Sequence, residues 1–105
     1  MSVWPPIPKL VRGASGPIKV RLAKNVQHEG TECWGTWEAG KRRIDLDKTA
    51  DPAHQWRTLF HELGHAALDD AGVSNLFTEA AVEMLVEAFA TARMQELRGQ
   101  LGIAD

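Results

Sequence analysis

The stretch that determines the fold is residues 51–72, DPAHQWRTLFHELGHAALDDAG. From here on the apolar residues recur at the spacing of a helix and no longer alternate as in a strand. Asp51 is a good N-cap, and Pro52 is a good first helical residue. Gly72 suits the left-handed position just past the last turn. The stretch therefore predicts a helix with one apolar face. That face consists of Trp56, Leu59, Phe60, Leu63, Ala66, Ala67 and Leu68.

The middle of this helix carries the pattern H-E-x-x-H, formed by His61, Glu62 and His65. Residues four apart lie one above the other on a helix face, so the two histidines can present their imidazoles to one ion. Neutral imidazole nitrogens suit Zn²⁺. Glu62 lies one residue round from His61, where its carboxylate can take a proton from a water molecule on the metal. The pattern predicts a zinc site, and a catalytic site of this kind needs a third protein ligand.

A second helix is predicted to follow, with Asn75 or Thr78 as its N-cap. The helical pattern continues to about Leu97 or Arg98 and ends before Gly99. One apolar stripe runs along this helix and is expected to face the core. The stripe consists of Ala81, Leu85, Ala88, Phe89 and Ala92.

The same helix carries three carboxylates at intervals of four residues, Glu79, Glu83 and Glu87, which form one acidic ridge. Such a row is expected either on a solvated helix face or beside a positive charge such as a metal ion. Glu79 lies near the helix start, where solvent is expected. Glu83 and Glu87 have mostly apolar neighbours, which favours burial of at least one of them, and a buried carboxylate needs a partner. The residues alone leave the third ligand open between Glu83 and Glu87.

Three short runs before the first helix have the composition and alternation of strands. Residues 18–22 alternate apolar and basic side chains, residues 33–38 contain good strand formers, and residues 43–47 alternate again. The second and third runs are expected to form a hairpin through Ala39 and Gly40. The chain is therefore predicted to be an α+β domain, in which a small three-stranded, mostly antiparallel sheet packs on two main helices.

The two ends of the chain are expected to lie outside this domain. Residues 1–17 are rich in Pro and Gly and predict an extended N-terminal arm, because Pro fixes φ and lacks a backbone donor. Residues 18–98 are predicted to form the single domain, and residues 99–105 a short C-terminal tail. A length of 105 residues suits one domain with a modest core.

Charge and composition disfavour several classes of protein. The formal net charge is −2, which argues against a nucleic-acid partner. No apolar run is long enough to span a bilayer, and the first residues lack a signal pattern, so no membrane partner is expected. The single cysteine, Cys33, excludes an internal disulfide and favours a cytoplasmic protein.

Residues 61–65 followed by residues 83–90, EMLVEAFA, resemble the gluzincin metallopeptidases, which carry H-E-x-x-H on one helix and a zinc-binding Glu on the next. Among the gluzincins, the chain resembles the small single-domain minigluzincins and the related ImmA/IrrE-like peptidases of phages and bacteria. In those the second helix has the pattern E-x-x-A-N/D-x-F-A. The resemblance implies that Glu62 is the general base, and that Glu87 occupies an Asn/Asp position that orients a ligand histidine. The zinc ligands that it implies are His61, His65 and Glu83.

The resemblance also implies that the third strand borders the substrate cleft and pairs with an extended peptide. The residues of this substrate edge strand are Arg43, Ile44, Asp45 and Leu46. The activity implied is zinc-dependent hydrolysis of peptide bonds, with a peptide or protein as substrate. The alternative is a regulatory or interaction module that keeps zinc for structure.

One departure from the gluzincin pattern concerns the oxyanion of the reaction. Larger gluzincins usually stabilise it with a Tyr or His, and this chain has no Tyr. The candidates for this role are His54, Arg93 and His28. A missing donor costs roughly two to three orders of magnitude in rate, which raises the alternative of a weak, latent or partner-completed enzyme. Cys33 could hold such an enzyme latent by occupying the open zinc position, although a small strand residue is the more common role.

Overall fold

The computed structural model describes residues 3–103. The first two and last two residues, which belong to the predicted arm and tail, lie outside the described residues. In chain order the strands are β1 (Leu10–Gly13), β2 (Gly16–Ala23), β3 (Gln27–His28), β4 (Thr31–Glu32), β5 (Gly35–Glu38) and β6 (Arg43–Asp47). The helices are α1 (Pro52–Asp70) and α2 (Glu79–Leu101), and short 3₁₀ turns span Ala39–Lys41 and Ser74–Leu76.

Four strands form one mixed sheet in the order β1-β2-β6-β5, and β3 pairs with β4 in a separate two-stranded ribbon. The predicted α+β class with two helices is confirmed, but the prediction of a three-stranded, mostly antiparallel sheet is wrong. Strand β1 adds a fourth strand from a segment assigned to the arm, and β2 runs parallel to β6. Alternating apolar residues are found in parallel and antiparallel strands alike, so the alternation carried no information on direction. The predicted hairpin of β5 and β6 is confirmed.

The main core lies between the sheet and α1. Ile18, Ile44 and Leu46 from the sheet are almost completely buried against Leu59 of the helix. Burial stabilises the fold by roughly 1.5–3 kcal/mol for each such side chain, and it fixes α1 across one face of the sheet. A smaller cluster joins α1 to α2 and consists of Phe60, Ala90 and Met94.

Side-chain caps start both helices. The side chain of Asp51 accepts a hydrogen bond from the backbone N–H of His54 at 2.9 Å, which confirms the predicted N-cap of α1. Of the two predicted caps for α2, Thr78 is the one used, and it accepts from the N–H of Ala81 at 3.1 Å. Within residues 3–103, neither helix combines the length and the apolar character that a membrane crossing requires.

Helix α2 continues further than the sequence predicted. It passes through Gly99 and ends at Leu101, followed by Gly102 in the left-handed conformation (φ 71°). The predicted end before Gly99 is therefore wrong. A glycine inside a helix costs only about 1 kcal/mol relative to Ala, and a second glycine three residues later can take the left-handed position instead.

Helix α2 turns a different face to the core from the one predicted. Its buried residues are Val86, Ala90 and Met94. The predicted stripe lies mainly at the surface, where Leu85 is 45% exposed and Phe89 is 38% exposed. The helix is apolar on nearly all sides, so its pattern did not specify one face. The observed rotation instead turns Glu83 and Glu87 towards α1.

Gly64 allows α2 to approach α1 closely. A Cβ atom at this position would lie 3.1 Å from Cγ1 of Val86 and 3.3 Å from Cδ1 of Phe89. We expect Gly64→Leu to lower the free energy of unfolding by about 1–3 kcal/mol, because the larger side chain overpacks this contact. Gly99→Leu is the matched control, since a Cβ there meets nothing within 4 Å. Chemical denaturation compares the two variants, and equal stabilities would argue against the close helix contact.

Candidate metal centre

Helices α1 and α2 bring three of the predicted ligands together. His61 and His65 lie one turn apart on α1, and Glu83 reaches them from α2. Each of the three side chains has a ligand atom, and these atoms all lie within 4.8 Å of one another. Oε2 of Glu83 lies 3.4 Å from Nε2 of His61, and Oε1 lies 3.2 Å from Nε2 of His65.

This donor set fits a divalent metal such as zinc. Zinc lies about 2.0–2.2 Å from imidazole nitrogens and carboxylate oxygens in tetrahedral sites, so two ligand atoms on one ion are roughly 3.3–3.5 Å apart. The distance of 3.4 Å from Oε2 of Glu83 to His61 matches this spacing, and the distance of 3.2 Å from Oε1 to His65 is slightly shorter. The side chain of Glu83 is half exposed, so solvent reaches the cluster. The three residues can therefore hold a metal ion that remains accessible from the surface.

Glu62 lies beside these residues with its side chain buried. Burial, with a smaller effect from the charge of Glu83, raises the pKa of its carboxyl from 4.5 to about 8, while a hydrogen bond from the backbone N–H of Trp37 acts in the opposite direction. A carboxyl with this pKa exchanges its proton near neutral pH, as a general acid or base must. A cation at the cluster would favour the charged form and lower the pKa.

Glu87 contacts the opposite edge of the His61 ring. Its Oε1 lies 2.7 Å from Nδ1 of His61, and its Oε2 accepts a hydrogen bond from Arg57 at 2.8 Å. The hydrogen bond from Arg57 and then that with His61 hold the pKa of Glu87 below its usual value. Of the two acids that the residues alone left open, Glu83 is the one that joins both histidines.

A cavity of about 560 Å³ lies over the cluster and is bounded by both helices, β5 and the β3–β4 ribbon. A ligand in this cavity would contact the cluster and Glu62 together. A side cavity of about 280 Å³ shares His61 and Glu62 with it and extends to Trp34 and Arg57. A larger hollow of about 710 Å³ lies beyond Cys33 and includes no residue of the cluster. The residues that line the main cavity besides those of the two helices include His28, Cys33, Gly35, Thr36, Trp37 and Phe77.

The peptidase family described as the IrrE N-terminal-like domain matches residues 18–95. The chain belongs to this family. The match begins in β2 and ends in α2, so it contains the whole metal cluster and all the residues that line the main cavity. The predicted resemblance to ImmA/IrrE-like peptidases is thereby confirmed at the level of the family. No curated protein and no solved structure matches the chain.

The strand beside the cleft of this IrrE N-terminal-like domain is not the predicted one. Strand β6 is hydrogen-bonded to β2 on one side and to β5 on the other, so it has no free edge for a peptide. Strand β5 forms the edge of the sheet, and Gly35, Thr36 and Trp37 line the cavity. The prediction that Arg43, Ile44, Asp45 and Leu46 form the substrate edge strand is therefore wrong.

One of the three predicted oxyanion donors lies in the main cavity of the domain. Arg93 pairs with Glu96 at 3.0 Å and lines neither cavity of the metal centre. His54 lines the side cavity, where its ring lies 4.6 Å from that of Trp34 between centroids. His28, on β3, lines the main cavity together with the metal cluster. The two-residue strand β3 has no periodic pattern, so nothing in the sequence placed His28 in the lining of this cavity.

Cys33 lies where the main cavity, the side cavity and the larger hollow meet, and it is partly buried. Its Sγ lies 3.8 Å from the backbone oxygen of Val26. Burial raises the pKa of the thiol above its ordinary value of 9.0, so the thiol form prevails at neutral pH, whereas zinc binds the thiolate. Among the described residues, the group that could hold a metal contains His61, His65 and Glu83 and does not include Cys33.

Proposed function

We propose that this chain is a zinc-dependent peptidase. The observation that carries the proposal is the convergence of His61, His65 and Glu83 beside the buried carboxyl of Glu62. Two imidazoles and one carboxylate form a catalytic zinc site with one open position. Membership of a peptidase family indicates the substrate class, which is a peptide or protein.

In this mechanism His61, His65 and Glu83 would hold the zinc ion, and Glu87 would fix the ring of His61. When bound, zinc supplies a Lewis acid that polarises the scissile carbonyl and lowers the pKa of water to about 7. Glu62 accepts the proton of the attacking water on a carboxylate oxygen and passes it to the leaving amine. Because this carboxyl is buried, it is shielded from bulk water, which limits loss of the proton to solvent.

Strand β5 is the proposed platform for the peptide backbone. An extended peptide adds to an exposed sheet edge through main-chain hydrogen bonds. Gly35, Thr36 and Trp37 of this edge strand line the same cavity as the metal cluster. A peptide that runs along β5 therefore passes over Glu62 and the cluster. The proposed substrate is an extended segment of a peptide or protein.

His28 is the proposed donor to the negative charge that develops on the carbonyl oxygen. Its side chain is 71% exposed and lines the main cavity, so it can approach a bound peptide. We expect His28→Ala to lower kcat by about 10²–10³-fold, the cost of removing one such donor, with no loss of zinc. His54→Ala is the control, because that histidine contacts Trp34 in the side cavity. Steady-state kinetics with a cleaved peptide measures both, and equal kcat losses would exclude this role for His28.

A second candidate function is a regulatory or interaction module in which zinc stabilises the fold. The absence of any Tyr favours it, since a common oxyanion donor is missing. Metals also stabilise small domains whose cores are limited. The two functions differ at Glu62, which a peptidase requires and a structural zinc site does not.

The proposed peptidase activity is tested with zinc-loaded protein, denatured casein and a mixed peptide library. Mass spectrometry of the products reports any new termini. We expect cleavage that a chelator stops and added zinc restores. A chain that holds one zinc ion and leaves every peptide intact would refute the proposal.

A further inference from the structure

Arg57 links the metal cluster to α2 through Glu87. It lies one turn before His61 on α1, and one guanidinium nitrogen donates to Oε2 of Glu87 at 2.8 Å and to Oγ1 of Thr91 at 3.3 Å. The other oxygen of Glu87 lies 2.7 Å from Nδ1 of His61. Both oxygens of this carboxylate are therefore held, one by a cation and one by a histidine of the cluster.

The contact at Nδ1 determines which nitrogen of His61 can bind an ion. A carboxylate accepts a hydrogen bond, so Nδ1 carries the proton in this contact and the lone pair lies on Nε2. Nε2 is the nitrogen that lies 3.4 Å from Glu83. An immobile Glu87 thus keeps His61 in the tautomer that the metal cluster needs.

Arg57 also reduces a conflict between two carboxylates. Glu83 and Glu87 lie one turn apart on α2, where like charges repel. The two acids contact opposite edges of the same His61 ring. The side chain of Glu87 is half exposed, so without the guanidinium it is free to turn into solvent or to compete with Glu83 for the ion.

We propose that Arg57 is a positioning residue whose ion pair holds Glu87 on His61 and thereby makes Glu83 the carboxylate ligand of the metal. The inference rests on the proposed metal site and is independent of peptide hydrolysis. Arg57 does not touch the ion in this proposal. Its whole effect passes through Glu87.

The test is a double-mutant cycle read by zinc affinity, measured by competition with a chromophoric chelator. We expect Arg57→Met to weaken zinc binding about tenfold or more, as losses of groups that orient a ligand histidine do. If Arg57 acts only through Glu87, the double variant with Glu87→Ala binds zinc as Glu87→Ala alone does. Arg57→Lys, which keeps the charge with fewer donors, is expected to recover part of the affinity.

Arg93→Met is the matched control, because it removes another exposed arginine that pairs with a glutamate, Glu96, at 3.0 Å. We expect its zinc affinity to equal that of the wild type. The absorption spectrum of cobalt-substituted protein gives a second measurement, and we expect it to change in Arg57→Met and not in Arg93→Met.

Two results would overturn the inference: wild-type zinc affinity in Arg57→Met, or losses that add in full in the double variant. A wild-type chain that binds zinc but cleaves no peptide would refute the proposed function alone, since the cycle still measures the effect of Arg57. A wild-type chain that binds no zinc would overturn both.

Discussion

Glu62→Gln is expected to abolish peptide hydrolysis and to leave the zinc content at the wild-type level. Gln has the size of Glu but cannot accept the proton of the attacking water, and a general base contributes roughly 10²–10⁴-fold to the rate. Glu62 is not one of the three residues whose donor atoms converge, so the metal site should persist. The measurement is kcat with a cleaved peptide, together with zinc analysis of the same sample.

A second measurement on Glu62→Gln is the free energy of unfolding of the metal-free protein. We expect this free energy to be higher in the variant than in the wild type. The pKa of Glu62 rises from 4.5 in the unfolded chain to about 8 in the folded chain, so the folded state holds this proton more tightly. The resulting stabilisation is fully present below pH 4.5 and is lost as the pH rises through 8. A Gln side chain does not titrate, so the stability of Glu62→Gln lacks this dependence on pH. After chelation at a pH above 8, Glu62→Gln should therefore exceed the wild type by about 5 kcal/mol in free energy of unfolding.

Either of two outcomes would count against the general-base role of Glu62. One is peptide hydrolysis by Glu62→Gln at a rate close to that of the wild type. The other is a variant that loses activity only because it has lost zinc. If the wild type cleaves no peptide and a binding activity survives the substitution, the regulatory or interaction module is the better account.

Glu83→Ala and Glu87→Ala are expected to differ sharply in zinc affinity. Glu83 offers one oxygen to each histidine of the cluster, at 3.4 and 3.2 Å, so its removal takes away a ligand. Glu87 contacts His61 at Nδ1, the nitrogen that faces away from Glu83, and the loss of a group that orients a ligand histidine costs about 10–100-fold in metal affinity. We therefore expect Glu83→Ala to weaken zinc binding by more than about 100-fold and Glu87→Ala by less. Competition titration of both variants measures the order, and the reverse order would make Glu87 the ligand.

Local rules predicted the parts of the structure that depend on a single helix. The spacing of His61 and His65 places both on one face of α1, and Asp51 and Thr78 cap the helices through hydrogen bonds to backbone three residues away. The choice between Glu83 and Glu87 depended instead on how α2 is rotated against α1. That rotation follows from the packing of Val86 and its neighbours, which a helix with apolar residues on nearly all sides does not encode.

Long-range pairing explains what the sequence did not predict. Strand β1 is recruited from a Pro- and Gly-rich segment by its pairing with β2, and β6 occupies the centre of the sheet because β2 pairs with its second edge. Neither event leaves a periodic signal in the sequence. The position of His28 in the lining of the main cavity was missed for a local reason, because the β3–β4 ribbon is too short to show alternation.

The zinc-to-chain ratio of the wild type and of His65→Ala, measured by atomic emission after dialysis against a weak chelator, tests the metal centre most directly. We expect one zinc ion per wild-type chain and almost none in His65→Ala, whose helices remain folded by circular dichroism. A wild type without zinc, or a His65→Ala chain that retains it, would contradict the claim that His61, His65 and Glu83 hold one ion.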